Sequence, residues 1–236
     1  MWKKENNEWG YILPIGYTVL MTLCAPLHMM LLECALRLAG SGDSESSSWL
    51  GLGLYGAGVL IYLIAAACLG ILNVVRSFQA YQKKDIRYCV NGMLILKYGM
   101  VLFFIINYVV LAMIVLAGGL AAFVGSRGTI LFALPFVLPG ILFFMTVLVV
   151  GTWLVMVPGA CYGVQVIRLS YGEKKMGMGV ALLHGFLQFN FLVDVLDAMY
   201  LAVRKWGMGK KSSVVIGILY GSAAAGLIWI MAGAVN

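Results

Sequence analysis

The chain has 236 residues, of which 63% are hydrophobic and 11% charged, against roughly 25% charged for an ordinary soluble domain; a water-soluble globule is excluded. Six segments of about 20 apolar residues would use most of this length, so the whole chain, 1–236, reads as a single membrane domain. The formal net charge of +7 lies in short loops between apolar runs rather than along one face, which argues for the positive-inside bias of membrane proteins and against nucleic acid as a partner.

The chain opens on Met1, Trp2, Lys3 and Lys4, then Glu5 and Glu8, before a long apolar run without a small-residue cleavage signature. This predicts a retained first helix rather than a signal peptide, with the N-terminus in the cytoplasm. Helix one is expected over 11–39. The following loop, 40–48, carries Asp43 and Glu45 but no Lys or Arg, and so lies outside. Helix two starts near the interfacial Trp49 and ends at Arg76, where Lys83, Lys84 and Arg87 make an inner basic loop. Helix three, 91–124, opens with Lys97, whose long stem is expected to carry its ammonium to the cytoplasmic interface. It closes at the short turn Gly125–Gly128. Helix four, 129–168, is too long for one perpendicular span and contains Pro135, Pro139 and Pro158, which predicts tilt, kinks or an extension into the cytoplasm. After a second basic loop with Lys174 and Lys175 comes helix five, 179–203. Helix six, 213–234, is apolar, with Gly217 and Gly221 at the spacing of a small-residue packing face. The expected fold is an all-α, polytopic integral membrane bundle of six helices, five of them transmembrane and the fifth spanning or interfacial. Cys24, Cys34, Cys68, Cys89 and Cys161 are scattered and odd in number, so no disulfide framework is implied.

Two signals disagree about helix five. If it spans, Arg204, Lys205, Lys210 and Lys211 join Arg37 and Arg127 outside, giving ten basic residues inside and six outside. If it lies along the cytoplasmic surface, the count becomes fourteen and two, and the charge bias prefers this. An internal repeat of 50–124 and 129–204 points the other way. Ala67, Cys68, Gly70, Arg76, Lys83, Lys84, Gly92 and Lys97 are echoed in order by Ala160, Cys161, Gly163, Arg168, Lys174, Lys175, Gly179 and His184. Helices two and three would then be copied in parallel as four and five, and helix five should span as helix three does.

Helix five holds the main candidate site. His184, Gln188, Asn190, Asp194 and Asp197 interrupt a Phe- and Leu-rich stretch. At 100° per residue Asn190, Asp194 and Asp197 share one arc, with His184 and Gln188 on a neighbouring one. An Asp near the centre of a span costs roughly 2.5 to 3.5 kcal/mol, while each large apolar residue returns only about 0.3 to 0.6. If the segment spans, Asp194 must therefore be protonated or paired, and a proton or cation pathway is the natural hypothesis. Otherwise the carboxylates face the cytoplasm among Arg and Lys, or form a structural buried network.

Glu33 and Arg37 are spaced as a favourable helical ion pair, with Glu33 alternatively a transport gate or a catalytic acid. Met21, Cys24 and His28 share a face of helix one, a soft ligand set that could suit copper, but Met and Cys are common core filler, and no metal or cofactor is expected. Asn73, Asn107 and Gln165 suit interhelical hydrogen bonds. The chain lacks the phosphate-loop, zinc-protease and nucleophile-elbow motifs. Its general build is similar to that of small multi-pass bacterial membrane proteins, on composition rather than motif.

These residues point first to a non-enzymatic protein of the cell membrane, a transporter-like or accessory subunit that meets the bilayer and a small solute or a protein partner. One alternative is an intramembrane enzyme using Glu33, His28, His184, Asp194 and Asp197. Another is a membrane scaffold that docks a partner through residues 179–203.

Overall fold

The computed structural model describes residues 8–40, 45–190 and 193–235. Lys3, Lys4, Glu5 and Asp43 lie outside the described residues, as do the side chains of Glu45 and Asn107. Among the described residues the chain is all-helical, without strands. A short 3-10 turn, Glu8–Tyr11, leads into α1 (Ile12–Thr22), α2 (Cys24–Gly40), α3 (Glu45–Gln82), α4 (Ile86–Gly125), α5 (Ile130–Gly172), α6 (Met178–Leu187), α7 (Val193–Tyr200) and α8 (Lys210–Val235). A π-helical turn, Leu201–Lys205, continues α7.

Three stretches are long and apolar enough to cross a membrane, Trp49–Gln82, Ile86–Ile106 and Ile130–Gly172, and α1 with α2 makes a fourth if that bent pair is one span. The 51° bend divides the one helix expected over 11–39. Pro26 supplies the reason: it lacks the N–H that Thr22 would accept from, and its ring crowds that carbonyl. Pro135, Pro139 and Pro158, by contrast, sit inside one continuous α5. α3, α4 and α5 contain 38, 40 and 43 residues, about 57 to 65 Å at 1.5 Å per residue, well beyond an apolar bilayer core of about 30 Å.

The chain divides into two compact units. The first comprises Met1–Arg76 and Gly99–Pro158. Polar groups tie its helices: Tyr17 donates its hydroxyl to the Val155 carbonyl at 3.1 Å, Tyr62 to the Leu20 carbonyl at 3.3 Å, and the Asn73 amide to the carbonyls of Leu13 and Leu69 at 3.0 and 2.9 Å. Large apolar side chains such as Leu60, Ile61, Leu116, Phe132, Phe136 and Phe143 stand exposed around it, an apolar surface compatible with a membrane location.

The second unit comprises Ser77–Tyr98 and Gly159–Asn236. Its core joins Cys89, Val90, Met93 and Leu96 of α4, Ala160, Tyr162 and Val166 of α5, and Ala198, Leu201 and Ala202 of the α7 region, all essentially without exposure. Gly92 lets the Tyr162 ring approach, because a Cβ there would stand 2.7 Å from it. On α8, Gly217 receives Met199.

Within this unit the single fifth helix expected over 179–203 is replaced by a helical hairpin. α6 ends at Leu187, the backbone tightens through the bonds from Phe189 to Phe186 and from Asn190 to Leu187 at 3.2 Å each, and α7 starts afresh at Val193. The far end then returns to the loop before α6. Lys205 donates to the Lys175 carbonyl at 3.1 Å, the Trp206 indole N–H to Ser170 Oγ at 2.8 Å, and the Lys175 ammonium lies 3.2 Å from the centre of the Trp206 ring. A segment whose two ends meet cannot have one on each face of a bilayer. The polarity of residues 188–197 makes two short helices, packed on protein, cheaper than one continuous span.

Candidate functional site

The hairpin exists around a buried charge network. Lys97 projects from α4, about 16 Å along the helix from Ile86, and is 3% exposed. Its ammonium donates to Asp194 Oδ2 at 2.5 Å and to the Gln188 carbonyl at 2.9 Å. It does not snorkel to an interface as the sequence suggested, because α7 brings a carboxylate to it. Asp197, one turn beyond Asp194, has both oxygens engaged: Oδ1 bonds His184 Nδ1 and Oδ2 accepts from the Gln188 amide at 2.5 Å. The His184 ring stacks on Tyr200, centroids 5.3 Å apart and 16° from parallel. Gln188 thus links both halves, its carbonyl serving Lys97 and its side chain Asp197. Its Oε1 is buried with no hydrogen-bond partner among the described residues and is packed on Gly163.

Four of the sequence candidates, His184, Gln188, Asp194 and Asp197, are therefore assembled, and all are buried. Asn190 shares their segment but turns away, donating to the Phe186 carbonyl at 2.9 Å. The predicted common arc for Asn190, Asp194 and Asp197 assumed an unbroken helix, and the break before α7 cancels it. Glu33 belongs to the first unit, exposed and paired with Arg37 at 2.5 Å. His28, also in that unit, points Nδ1 at the Cys24 carbonyl at 2.8 Å, with the Cys24 thiol at 3.7 Å and the Tyr62 ring edge-on. Met21 Sδ faces the Tyr62 hydroxyl at 3.9 Å rather than forming a ligand set. Among the described residues no three His, Cys, Asp or Glu side chains cluster as a metal site.

Lys97 is the member that sequence reasoning missed. A signal was present: the repeat aligns Lys97 with His184, and each of these bonds one of the two carboxylates.

Charge balance constrains what the network can do. Two carboxylates face one ammonium, so with His184 neutral the buried cluster carries a net charge of −1. An unbalanced charge in a low-dielectric interior costs several kcal/mol. Lys97 balances one of the two carboxylates, and the other, Asp197, is held by His184 and Gln188.

The sequence of this region is matched by a family described as "Family of unknown function (DUF6652)", over residues 16–207. The chain belongs to DUF6652. No curated protein and no solved structure matches it. The DUF6652 region takes in α3 to α7 entire and with them every residue of the network.

Two glycines in the DUF6652 region give a local test of the packing. A Cβ at Gly163 would run into the Gln188 carboxamide, whereas one at Gly159 would make ordinary contacts, 3.4 Å from Leu96 and 3.5 Å from the Lys97 stem. Gly163→Ala is expected to destabilise the protein by about 1 to 3 kcal/mol. Gly159→Ala should be neutral or gain up to about 1 kcal/mol of helix propensity. Thermal unfolding of the two variants in the same detergent checks this, and equal melting temperatures would remove the Gln188 packing argument.

Proposed function

We propose that the protein is a transporter-like multi-pass protein of the cell membrane that couples a proton at His184 and Asp197 to movement of the α6–α7 hairpin and of a small solute. In this reading α1–α2, α3, α4, α5 and α8 cross the bilayer. The N-terminus is cytoplasmic, and the hairpin enters from the cytoplasmic side and returns to it. Arg204, Lys205, Lys210 and Lys211 then join the other basic loops, the fourteen-to-two distribution that the charge bias favours.

The observation that carries the proposal is the pair of buried carboxylates on α7, one paired with Lys97 and the other bonded to His184 and Gln188 across the break after α6. Discontinuous helices at membrane depth line ion and substrate sites in many transporters, and ionisable groups there are functional by default. Protonating Asp197 removes the charge that holds His184 and Gln188, which loosens α6 from α7 while Lys97 keeps Asp194. The hairpin therefore has a released and a latched state that differ by one proton.

The reading is tested in liposomes of the purified protein containing a pH dye, with an imposed pH gradient and pooled amino acids, sugars and organic acids outside. Solute-dependent proton movement is expected, and Asp197→Asn should lower it about tenfold or more. Rates equal to protein-free liposomes would sink the transport reading.

The exposed apolar row on the hairpin, Leu182, Leu183, Phe186 and Leu196, favours a second reading, an accessory subunit that docks a membrane partner there. Under that reading a partner co-purifies with the protein and is lost on Leu183→Glu, while no proton moves.

A further inference from the structure

Apart from the charge network, the second unit gathers exposed cations at one end. Lys83, Lys84 and Arg87 lie around the turn from α3 to α4, and Lys174 between α5 and α6. Arg204, Lys210 and Lys211 surround the close of the hairpin, and all of these side chains are exposed. Contacts hold the three loops together. The Arg168 guanidinium lies 4.0 Å above the Tyr81 ring and joins the ends of α3 and α5, while Trp206 and Lys205 bond Ser170 and the Lys175 carbonyl. Among the described residues none of the exposed cations named makes a side-chain hydrogen bond, ion pair or ring contact. The acids of this unit leave them unanswered. Asp194 and Asp197 are buried, the Asp85 carboxylate accepts the Tyr88 N–H at 3.0 Å, and Glu173 is paired with Lys175 at 3.0 Å. The result is a basic surface that attracts anions.

The hairpin decides which kind of anion. Leu182, Leu183, Phe186 and Leu196 stand exposed on it, and the ten residues of α6 carry that apolar row over about 15 Å. Lys174 stands before α6, and Arg204, Lys210 and Lys211 follow α7, so both feet of an apolar hairpin are cationic. A helix with an apolar face and a basic edge seats in a membrane interface by burying the one among acyl chains and leaving the other among headgroups. Two cation–ring pairs stand at the same feet, Lys175 at 3.2 Å from the centre of the Trp206 ring and Lys205 at 5.7 Å from that of Tyr200. Trp and Tyr favour the headgroup level. The turns themselves are short, residues 83–85, 173–177 and 206–209, and build no lobe that would enclose a folded partner.

We infer that this end of the second unit binds the anionic lipid headgroups of the leaflet the hairpin enters, as an electrostatic contact spread over three loops rather than as one phosphate site. Clusters of Lys and Arg beside membrane helices recognise anionic lipid in this way. Only the hairpin placement proposed above is needed for this, not proton coupling.

Vesicles of phosphatidylcholine holding the full-length protein and a trace of spin-labelled phosphatidylglycerol or phosphatidylcholine test it, since the share of each label slowed by the protein gives their relative association. Wild type is expected to favour phosphatidylglycerol about threefold in low salt, and the ratio should fall to about one near 0.5 M salt, where charges are screened within a few Å. Replacing Lys83, Lys84, Lys174 and Lys211 together by Gln should bring the low-salt ratio to about one, and replacing the same four by Arg should keep it. Arg127→Gln, an exposed cation of the first unit, should change nothing. A wild-type ratio of one, a preference that survives high salt or the four Gln changes, or its loss in the Arg version or in Arg127→Gln would each overturn the proposal. So would salt-sensitive capture of soluble polyglutamate by wild type that shows no lipid preference, which would assign the surface to an acidic protein. The hairpin placement is read separately: in a cysteine-free background Leu183→Cys should resist an impermeant maleimide. Its labelling would overturn the choice of a lipid surface whatever the lipid ratio.

Discussion

Lys97→Met should be among the most damaging single changes in this protein, lowering stability by about 3 to 5 kcal/mol, the cost of stranding one member of a buried ion pair. The carboxylate of Asp194, itself buried, would lose a partner at 2.5 Å. For a chain of this length that corresponds to a fall of roughly 10 °C in melting temperature. An ordinary interhelical hydrogen bond in a membrane averages about 0.6 kcal/mol, so the size of the loss separates a charge effect from a hydrogen-bond effect. The double change Lys97→Met with Asp194→Leu should recover most of it, because two apolar side chains of similar volume leave no charge behind. Thermal unfolding of the single and double variants in one detergent measures the difference. If the double variant is no more stable than the single, the pair is not what holds α7 to α4.

The second large effect is all-or-none. In a background lacking the five native cysteines, Lys210→Cys and Glu173→Cys should be labelled by an impermeant maleimide from the same side of the membrane, and Thr129→Cys from the other. The contacts of Lys205 and Trp206 with Lys175 and Ser170 require the first two to agree, since they bring the end of the hairpin back to its beginning; the third follows from the proposal that α5 spans. Labelling of Lys210→Cys together with Thr129→Cys would mean that residues 179–203 cross the bilayer, and the hairpin would have to be abandoned. In intact cells the same reagent also tests the cytoplasmic placement of the basic loops.

Much of the helix pattern was legible because bilayer-spanning segments depend on local composition alone. The turn at Gly125–Gly128 lies between α4 and α5 as expected, and the bounds of α3 to α5 differ from expectation mainly by polar turns that carry the helices onward. The bend after Thr22 was hidden because Pro26 acts on a carbonyl four residues back, whereas the three prolines of α5, which drew attention, leave it unbroken.

At the site, the structure brings together four of the five polar residues of 179–203, but not in the geometry that one unbroken helix implies. A helical wheel cannot anticipate that five polar residues will break the helix they are plotted on. The partner of Asp194 was unreadable by proximity, since Lys97 lies 97 positions away. Neither the charge count nor the repeat anticipated a hairpin: the first favoured a helix along the surface, the second a single span, and both treated residues 179–203 as one helix.

That separation of 97 residues also sets an order of events during synthesis. At about 5 to 20 residues per second, the ribosome adds Asp194 roughly 5 to 20 s after Lys97. The ion pair that joins α4 to α7 therefore forms only after all of α5 and α6 has been made, so the packing of the second unit closes last at its charge network.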